Sequence, residues 1–528
     1  MTTRYDAVVV GAGFAGMYML HRLREQGLTA QVYETGDGVG GTWYWNRYPG
    51  ARCDIESMEY SYQFDAALQQ EWTWNERYAP QPEILDYANH VADRFQLRDQ
   101  IQFNTRVTTA HFNDSDQRWQ VTTDAGDQVS AQYLIMATGC LSTSNVPDIP
   151  GLESFEGASY HTGRWPQGGV DFTDLDVVVI GTGSSAIQAI PLIAEEAEHL
   201  YVLQRTPSYS IPAQNQRLEL DVQQQIKANY GDLRKRGAAS PSGIAFEFNP
   251  NSALAVSAEE RQLEFERRWQ MGGVAFTGAY GDLLMSADAN DTAAEFVRGK
   301  IREIVDDPKT AEMLAPMQTF GCKRVCADTG YYATFNRDNV TLIDLVDEPI
   351  QGIMAQGIIT AKQVIEADAI VYATGFDAMT GALAKIDIRG RDNVTLVDKW
   401  SEGPKTFLGL GTAGFPNLFI ITGPGSPSVL TNMLPSIEQN VEWISDCIQY
   451  LAKQGRTTIE ATPLAEEAWV AKVNALAART LFPTCNSWYL GANIHGKPRV
   501  FMPYIGFPAY VEKCNEVAAQ GYAGFELA

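Results

Sequence analysis

The feature that most constrains this chain is a device used twice. Asp6-Ala7-Val8-Val9-Val10 runs into Gly11-Ala12-Gly13-Phe14-Ala15-Gly16 and a helical stretch from Met17 to Gln26. Asp176-Val177-Val178-Val179-Ile180 runs into Gly181-Thr182-Gly183-Ser184-Ser185-Ala186 and a second helical stretch, which Pro191 is expected to interrupt. A β-branched strand ending in a glycine-rich turn that opens a helix is the βα unit of a doubly wound sheet. The expected fold is α/β, with two Rossmann-like dinucleotide-binding domains.

A second echo fits the same frame. Tyr133-Leu134-Ile135-Met136-Ala137-Thr138-Gly139 and Ala369-Ile370-Val371-Tyr372-Ala373-Thr374-Gly375 are apolar strands with one ending, Ala-Thr-Gly. Each suits the last strand of a dinucleotide domain, where small residues let the chain pass close to a cofactor. Residues 222–328 lack strand alternation and are rich in Ala, Glu, Gln and Arg, which predicts a helical insertion. The expected order is therefore a first domain at 1–145, completed by 383–528. The second domain spans 146–221 and 329–382, around that insertion.

The glycines cradle pyrophosphate, because a helix N-terminus offers N–H groups and partial positive charge. The residues downstream of each copy decide the ligand. The strand Ala30-Gln31-Val32-Tyr33 ends in Glu34, whose carboxylate accepts from a ribose diol and repels a 2′-phosphate. Gly11, Gly13, Phe14, Gly16 and Glu34 therefore read as an FAD (or NAD) site. After the second copy, Leu200-Tyr201-Val202-Leu203 leads to Gln204-Arg205-Thr206, so a neutral residue and a cation replace the acid. A guanidinium pairs with a 2′-phosphate in a two-pronged contact. Gly181, Thr182, Gly183, Ser184, Ser185, Arg205 and Thr206 read as an NADPH site, although Arg205 alone is also what a surface cation looks like.

Composition narrows the partners. With 64 acids against 40 bases, the net charge of −24 argues against a nucleic acid partner, which needs basic patches. No apolar run approaches the ~18 residues of a membrane span, and strand-like sequence begins too early for a signal peptide. The seven cysteines are odd in number and scattered, with no C-x-x-C pair. That predicts small buried hydrophobes in a reducing, cytoplasmic compartment, without disulfides. Neither a metal nor an obligate protein partner is called for. NADPH reducing a flavin must pass electrons onward, and without a dithiol pair the remaining common acceptor is O2.

The segment between the glycine motifs, Phe155-Glu156-Gly157-Ala158-Ser159-Tyr160-His161-Thr162-Gly163-Arg164-Trp165-Pro166, resembles the F-x-G-x-x-x-H-x-x-x-W-P signature of type I Baeyer–Villiger monooxygenases. Gly40-Gly41-Thr42-Trp43-Tyr44-Trp45-Asn46-Arg47-Tyr48-Pro49-Gly50-Ala51-Arg52-Cys53-Asp54 matches a further motif of that family. So do Lys323-Arg324 ahead of Asp328-Thr329-Gly330, and Trp488 ahead of Gly491-Ala492-Asn493. The resemblance spans essentially the whole chain. It implies that Gly41, Thr42, Trp43, Asp54, Tyr60, Val107 and Met433 complete the FAD site. It likewise implies that Arg52, Gln188, Lys323, Arg324 and Trp488 reach NADP.

The resemblance also implies the chemistry. Reduced flavin adds O2 at C4a, the peroxide attacks a ketone, and a tetrahedral adduct rearranges to an ester or lactone. That demands a permanent cation beside the developing oxyanion and a site closed to water. Arg324 is the implied cation and Asp54 the carboxylate that positions it, so the two are the catalytic candidates. His161 is implied to be a linker anchor and Trp488 a residue that folds over the nicotinamide ribose. The loop Gly423–Met433 is implied to line flavin and a hydrophobic ketone. Unaided, Lys323-Arg324 would read as solvated charge, Asp54 as the N-cap of a helix beginning at Ile55, and Trp488 as core. A heteroatom-oxygenating flavin monooxygenase and a non-catalytic flavin/NADPH redox sensor stay open as alternatives.

Overall fold

The computed structural model describes residues 3–500 and 505–528. Thr3–Val10 lies between two parallel neighbours, Ala30–Tyr33 and Gln128–Met136. Its last four residues, Ala7 to Val10, are buried on both faces. That is why the strand reads as a continuous apolar run rather than an alternating one. The sheet runs in the order Asp387–Arg389, Val107–Asn113, Arg118–Thr123, Gln128–Met136, Thr3–Val10, Ala30–Tyr33, Ile101–Gln102, with Leu418–Ile420 also paired to Gln128–Met136. Two of its strands thus come from beyond residue 386. The long helix Met433–Gln454 packs on Phe14–Glu25, where the Tyr18 hydroxyl donates to Glu442 (3.1 Å).

The second sheet is parallel throughout, in the order Val340–Asp344, His199–Gln204, Asp176–Ile180, Ala369–Tyr372, Ala158–His161. Each sheet has its own buried apolar cluster, so each is a separate core. Between His199–Gln204 and Val340–Asp344 the chain forms helices at Leu220–Ala228, Tyr230–Ala239, Ala258–Met271, Ala287–Ile304 and Pro308–Leu314. This excursion is pinned at its ends by a two-stranded pairing of Ser210–Pro212 with Cys326–Asp328. The last three residues of the expected helical insertion are therefore strand.

Three local expectations fail for identifiable reasons. Pro191 does not interrupt its helix, which runs unbroken from Ser184 to Glu196. The proline removes one N–H from the ladder, and burial of Ile187, Ile190, Pro191 and Ile193 outweighs that loss. No helix begins at Ile55, so Asp54 caps nothing; its carboxylate pairs with Arg324 instead. Finally, disulfides are not absent. Cys322 and Cys485 are joined, with Cα atoms 5.7 Å apart and a sequence separation of 163. Cys53, Cys140, Cys326, Cys447 and Cys514 are free and buried as expected.

Candidate active site

The two glycine turns have nearly the same geometry. Gly11 and Gly181 sit at φ +104° and +109°, in the left-handed region open to glycine. A Cβ on Gly11 would lie 2.6 Å from the Ala137 carbonyl oxygen, and one on Gly181 2.5 Å from that of Ala373. Ala137 and Ala373 open the two Ala-Thr-Gly endings, so each ending forms the floor of its own turn. Gly13 and Gly183 are the N-caps of the following helices, at φ −73° and −82°, and neither has a side chain to accept from the first turn. Those N–H groups are left for an anion. Both cradles therefore fit a pyrophosphate.

Their surroundings differ. Glu34 is buried and accepts from the backbone N–H groups of Ala12 (2.7 Å) and Gly36 (2.8 Å). Burial raises its carboxyl above the usual range, and those hydrogen bonds partly counter it. The carboxylate is thereby fixed beside the first turn. Gly41, at φ +55°, closes over that turn; a Cβ there would lie 2.9 Å from the Gly13 Cα. Thr42 and Trp43 begin the short helix behind Gly41, and the Trp43 indole donates to the Tyr60 hydroxyl (3.1 Å).

Around the second turn, Gln204 is buried and donates to the Met313 carbonyl (2.7 Å), while Arg205 is exposed. The Thr182 hydroxyl donates to the Thr206 carbonyl (3.0 Å), which holds the Arg205 segment against the turn. Burial, and then repulsion from Arg205, keep the Lys323 ammonium below its ordinary range. Two cations 118 positions apart in sequence thus line one cavity close enough to repel each other, an arrangement that suits a 2′-phosphate.

One cavity of about 1060 Å³ joins the two cradles and reaches Val107, Met433, Lys323, Arg324 and Trp488. Arg324 sits in its wall. Its Nε and Nη2 donate to the two Asp54 carboxylate oxygens, the Nη2 contact at 2.9 Å, and its Nη1 donates to the Val429 carbonyl (2.7 Å). Burial alone would disfavour the guanidinium charge; Asp54 more than offsets it, and the pKa rises. The result is a permanent, rigidly aimed cation. Val429, which sequence reasoning placed only in a substrate loop, is the third support of this arginine. A backbone carbonyl leaves no residue-type signal that could have revealed it.

Other expected residues fall into distinct places. The Arg52 guanidinium donates to Glu76 (2.8 Å) and the Tyr78 carbonyl (3.1 Å), so its charge is already paired at the cavity edge. Gln188 spans the two domains: it accepts from the Tyr48 hydroxyl (2.8 Å) and donates to the Arg52 carbonyl (3.1 Å). Tyr48 was missed as a site residue. The Ser184 hydroxyl meets the Cys326 thiol at 3.1 Å, and Ser185 meets the Thr162 hydroxyl at 3.0 Å. Burial pushes the Cys326 thiol up to about 12, far from a reactive thiolate. His161 ends the strand Ala158–His161; its Nδ1 accepts from the Gly163 N–H (2.9 Å), and burial lowers its pKa. Its Nε2 lies 3.4 Å from both the Asn145 carbonyl and the Thr374 hydroxyl, so the ring touches its own turn and the two segments beside it.

Two dinucleotide cradles facing one cavity, with a charge-paired arginine between them, define a pyridine-nucleotide-dependent flavin oxidoreductase. Residues 8–265 match the family model described as pyridine nucleotide-disulphide oxidoreductase. A Baeyer–Villiger monooxygenase of Pseudooceanicola batsensis is 43% identical over 98% of this chain and 95% of its own length. Among solved structures, an oxidized steroid monooxygenase bound to NADP superposes with a TM-score of 0.95 at 52% identity, covering 99% of both chains. A closed cyclohexanone monooxygenase superposes at 0.98 with 44% identity, covering both chains fully. The chain belongs to the type I Baeyer–Villiger monooxygenase family.

Proposed function

We propose that this protein is an NADPH- and O2-dependent flavin monooxygenase that inserts one oxygen atom beside the carbonyl of a hydrophobic ketone, giving an ester or lactone. The observation that carries this reading is Arg324, held by Asp54 and the Val429 carbonyl in the wall of the cavity shared by both cradles. When bound and reduced by NADPH, FAD would activate O2, the source of the inserted oxygen atom. The protein's own residues do the rest.

Gly11, Gly13, Gly16, Gly41 and Glu34 would hold the flavin dinucleotide, and Gly181, Gly183, Arg205 and Lys323 would hold NADPH. Arg324 stabilises the negative charge that develops on the ketone oxygen as its carbonyl is attacked. Because Asp54 fixes the guanidinium plane beforehand, little reorganisation is needed as that charge appears. Trp488 and Met433 line the cavity and restrict water. The cytoplasm is the compartment this reading assigns.

Arg324→Ala tests the reading. The flavin of the variant should still be bleached by NADPH in the absence of air. Ester formed from a mixed ketone library, measured by mass spectrometry, should fall by roughly 100-fold or more. Normal ester yield from this variant would remove Arg324 from its assigned role. Oxygenation of sulfides or amines with no ester from any ketone would favour heteroatom chemistry instead.

A further inference from the structure

The disulfide lies at a telling place. Cys322 immediately precedes Lys323-Arg324, and Cys485 stands three residues before Trp488. Both half-cystines sit in one apolar cluster with Cys140, Met379, Val429 and Tyr489, against which Met433 and Trp488 pack. The loop carrying Arg324 is thus fastened at two points. Its guanidinium grips Asp54 and Val429, and its sulfur grips the segment that presents Trp488. That segment is otherwise folded largely on itself. Thr484, Cys485 and Leu490 donate through backbone N–H groups to Leu481, Phe482 and Ser487, and Tyr489 N–H donates to the Ser487 hydroxyl. The Leu481 N–H, which donates to the Leu284 carbonyl (2.8 Å), ties its start to the helical excursion. Both sulfurs are buried, but Cys485 is flanked by the exposed Thr484 and Asn486, so local opening of this segment is what brings its sulfur within reach of a reagent.

We propose that Cys322–Cys485 is a reversible redox tether that holds the Trp488 segment against the Arg324 loop. A dithiol reductant opens it. One thiolate attacks the Cys485 sulfur, Cys322 leaves as a thiolate and takes up a proton, and the reductant's second thiol displaces Cys485. The products are two protein thiols and an oxidised reductant. Hydrogen peroxide closes it: one thiolate takes an oxygen atom to become a sulfenic acid, and the other thiol displaces water, so two thiols and one peroxide give the disulfide and two waters. Peroxide is also what escapes when oxygenation fails, so the oxidant that closes the site is the product of its leaking. The tether's effect on oxygenation rests on the function proposed above; its existence and its effect on loop opening do not.

The test uses the FAD- and NADP⁺-loaded protein prepared without reductant, then treated with dithiothreitol or with hydrogen peroxide. Denatured samples should titrate five thiols when tethered and seven when reduced. Non-reducing peptide mapping should show the Cys322–Cys485 cross-link only in the former. On reduction, hydrogen exchange across residues 484–492 should rise, ester formed per NADPH consumed should fall severalfold, and peroxide treatment should restore both. Cys322→Ser and Cys485→Ser should each resemble the reduced protein and ignore dithiothreitol; either alone suffices if the other folds poorly. The proposal is overturned if both cysteines stay free after peroxide, or if exchange and coupling are the same in the two redox states. Changed exchange with no ester in either state would leave the tether standing and remove the oxygenation reading.

Discussion

The two glycine turns share the conformation of their first two glycines and differ at the third position and in how much protein closes over them. A Cβ on Gly13 would meet Gly41 at 3.3 Å, whereas one on Gly183 has nothing within 4 Å among the described residues. The first cradle has an opposing loop; the second is open on that face. The third position differs too, since Gly16 lies so near Gly11 that a Cβ would fall on its carbonyl oxygen, yet the second copy carries Ala186 there and buries it. The closed turn suits a resident group and the open one a cofactor that comes and goes. On the function proposed above, the same motif would store one dinucleotide and exchange another.

The most damaging way to break this comparison is to make the first turn like the second. Gly16→Ala should abolish FAD retention, read as loss of flavin absorbance after desalting, because its Cβ would fall on the carbonyl oxygen of Gly11, whose N–H is held by the Tyr33 carbonyl (2.8 Å). The converse change, Ala186→Gly, should cost only helix propensity, ~1 kcal/mol, and leave NADPH use nearly intact. Comparable losses from the two would mean that the turns are not closed differently. Next in size is Arg205→Ala. Losing a charge-assisted contact should raise the NADPH Michaelis constant roughly 10- to 100-fold while leaving the NADH value unchanged. Equal effects on both coenzymes would sink the assignment of the 2′-phosphate.

Much of this contrast was legible from residue order. Glu34 and Arg205 each stand one or two residues beyond a strand that comes after a glycine turn, so local sequence carried both. The Ala-Thr-Gly endings likewise announced the floors of the turns. What stayed hidden depends on contacts between distant segments. Local sequence around Asp54 does not distinguish a helix cap from an ion pair; only the family resemblance pointed to Arg324, 270 residues later, and the structure pairs the two. The Cys322–Cys485 bridge spans 163 residues, and an odd number of cysteines argued against it. Tyr48 meets Gln188 only because two domains dock. Pro191 was misread because local propensity was weighed without the burial that overrides it.

Two smaller effects sharpen the comparison further. Glu34→Gln keeps the shape of the first site but weakens acceptance from a ribose diol, and should loosen FAD by roughly tenfold without altering the choice between NADPH and NADH. The last effect depends on pH. Lys323 is held below the ordinary ammonium range by burial and by Arg205, so it is the first cation of the second site to lose its proton as pH rises. Bound 2′-phosphate favours the protonated lysine, so the free enzyme titrates before the complex does. The preference for NADPH over NADH, measured as a ratio of kcat/KM, should therefore narrow on the alkaline side. Lys323→Arg should hold that ratio flat through the same range, and a decline as steep as that of the parent would show that a different group titrates.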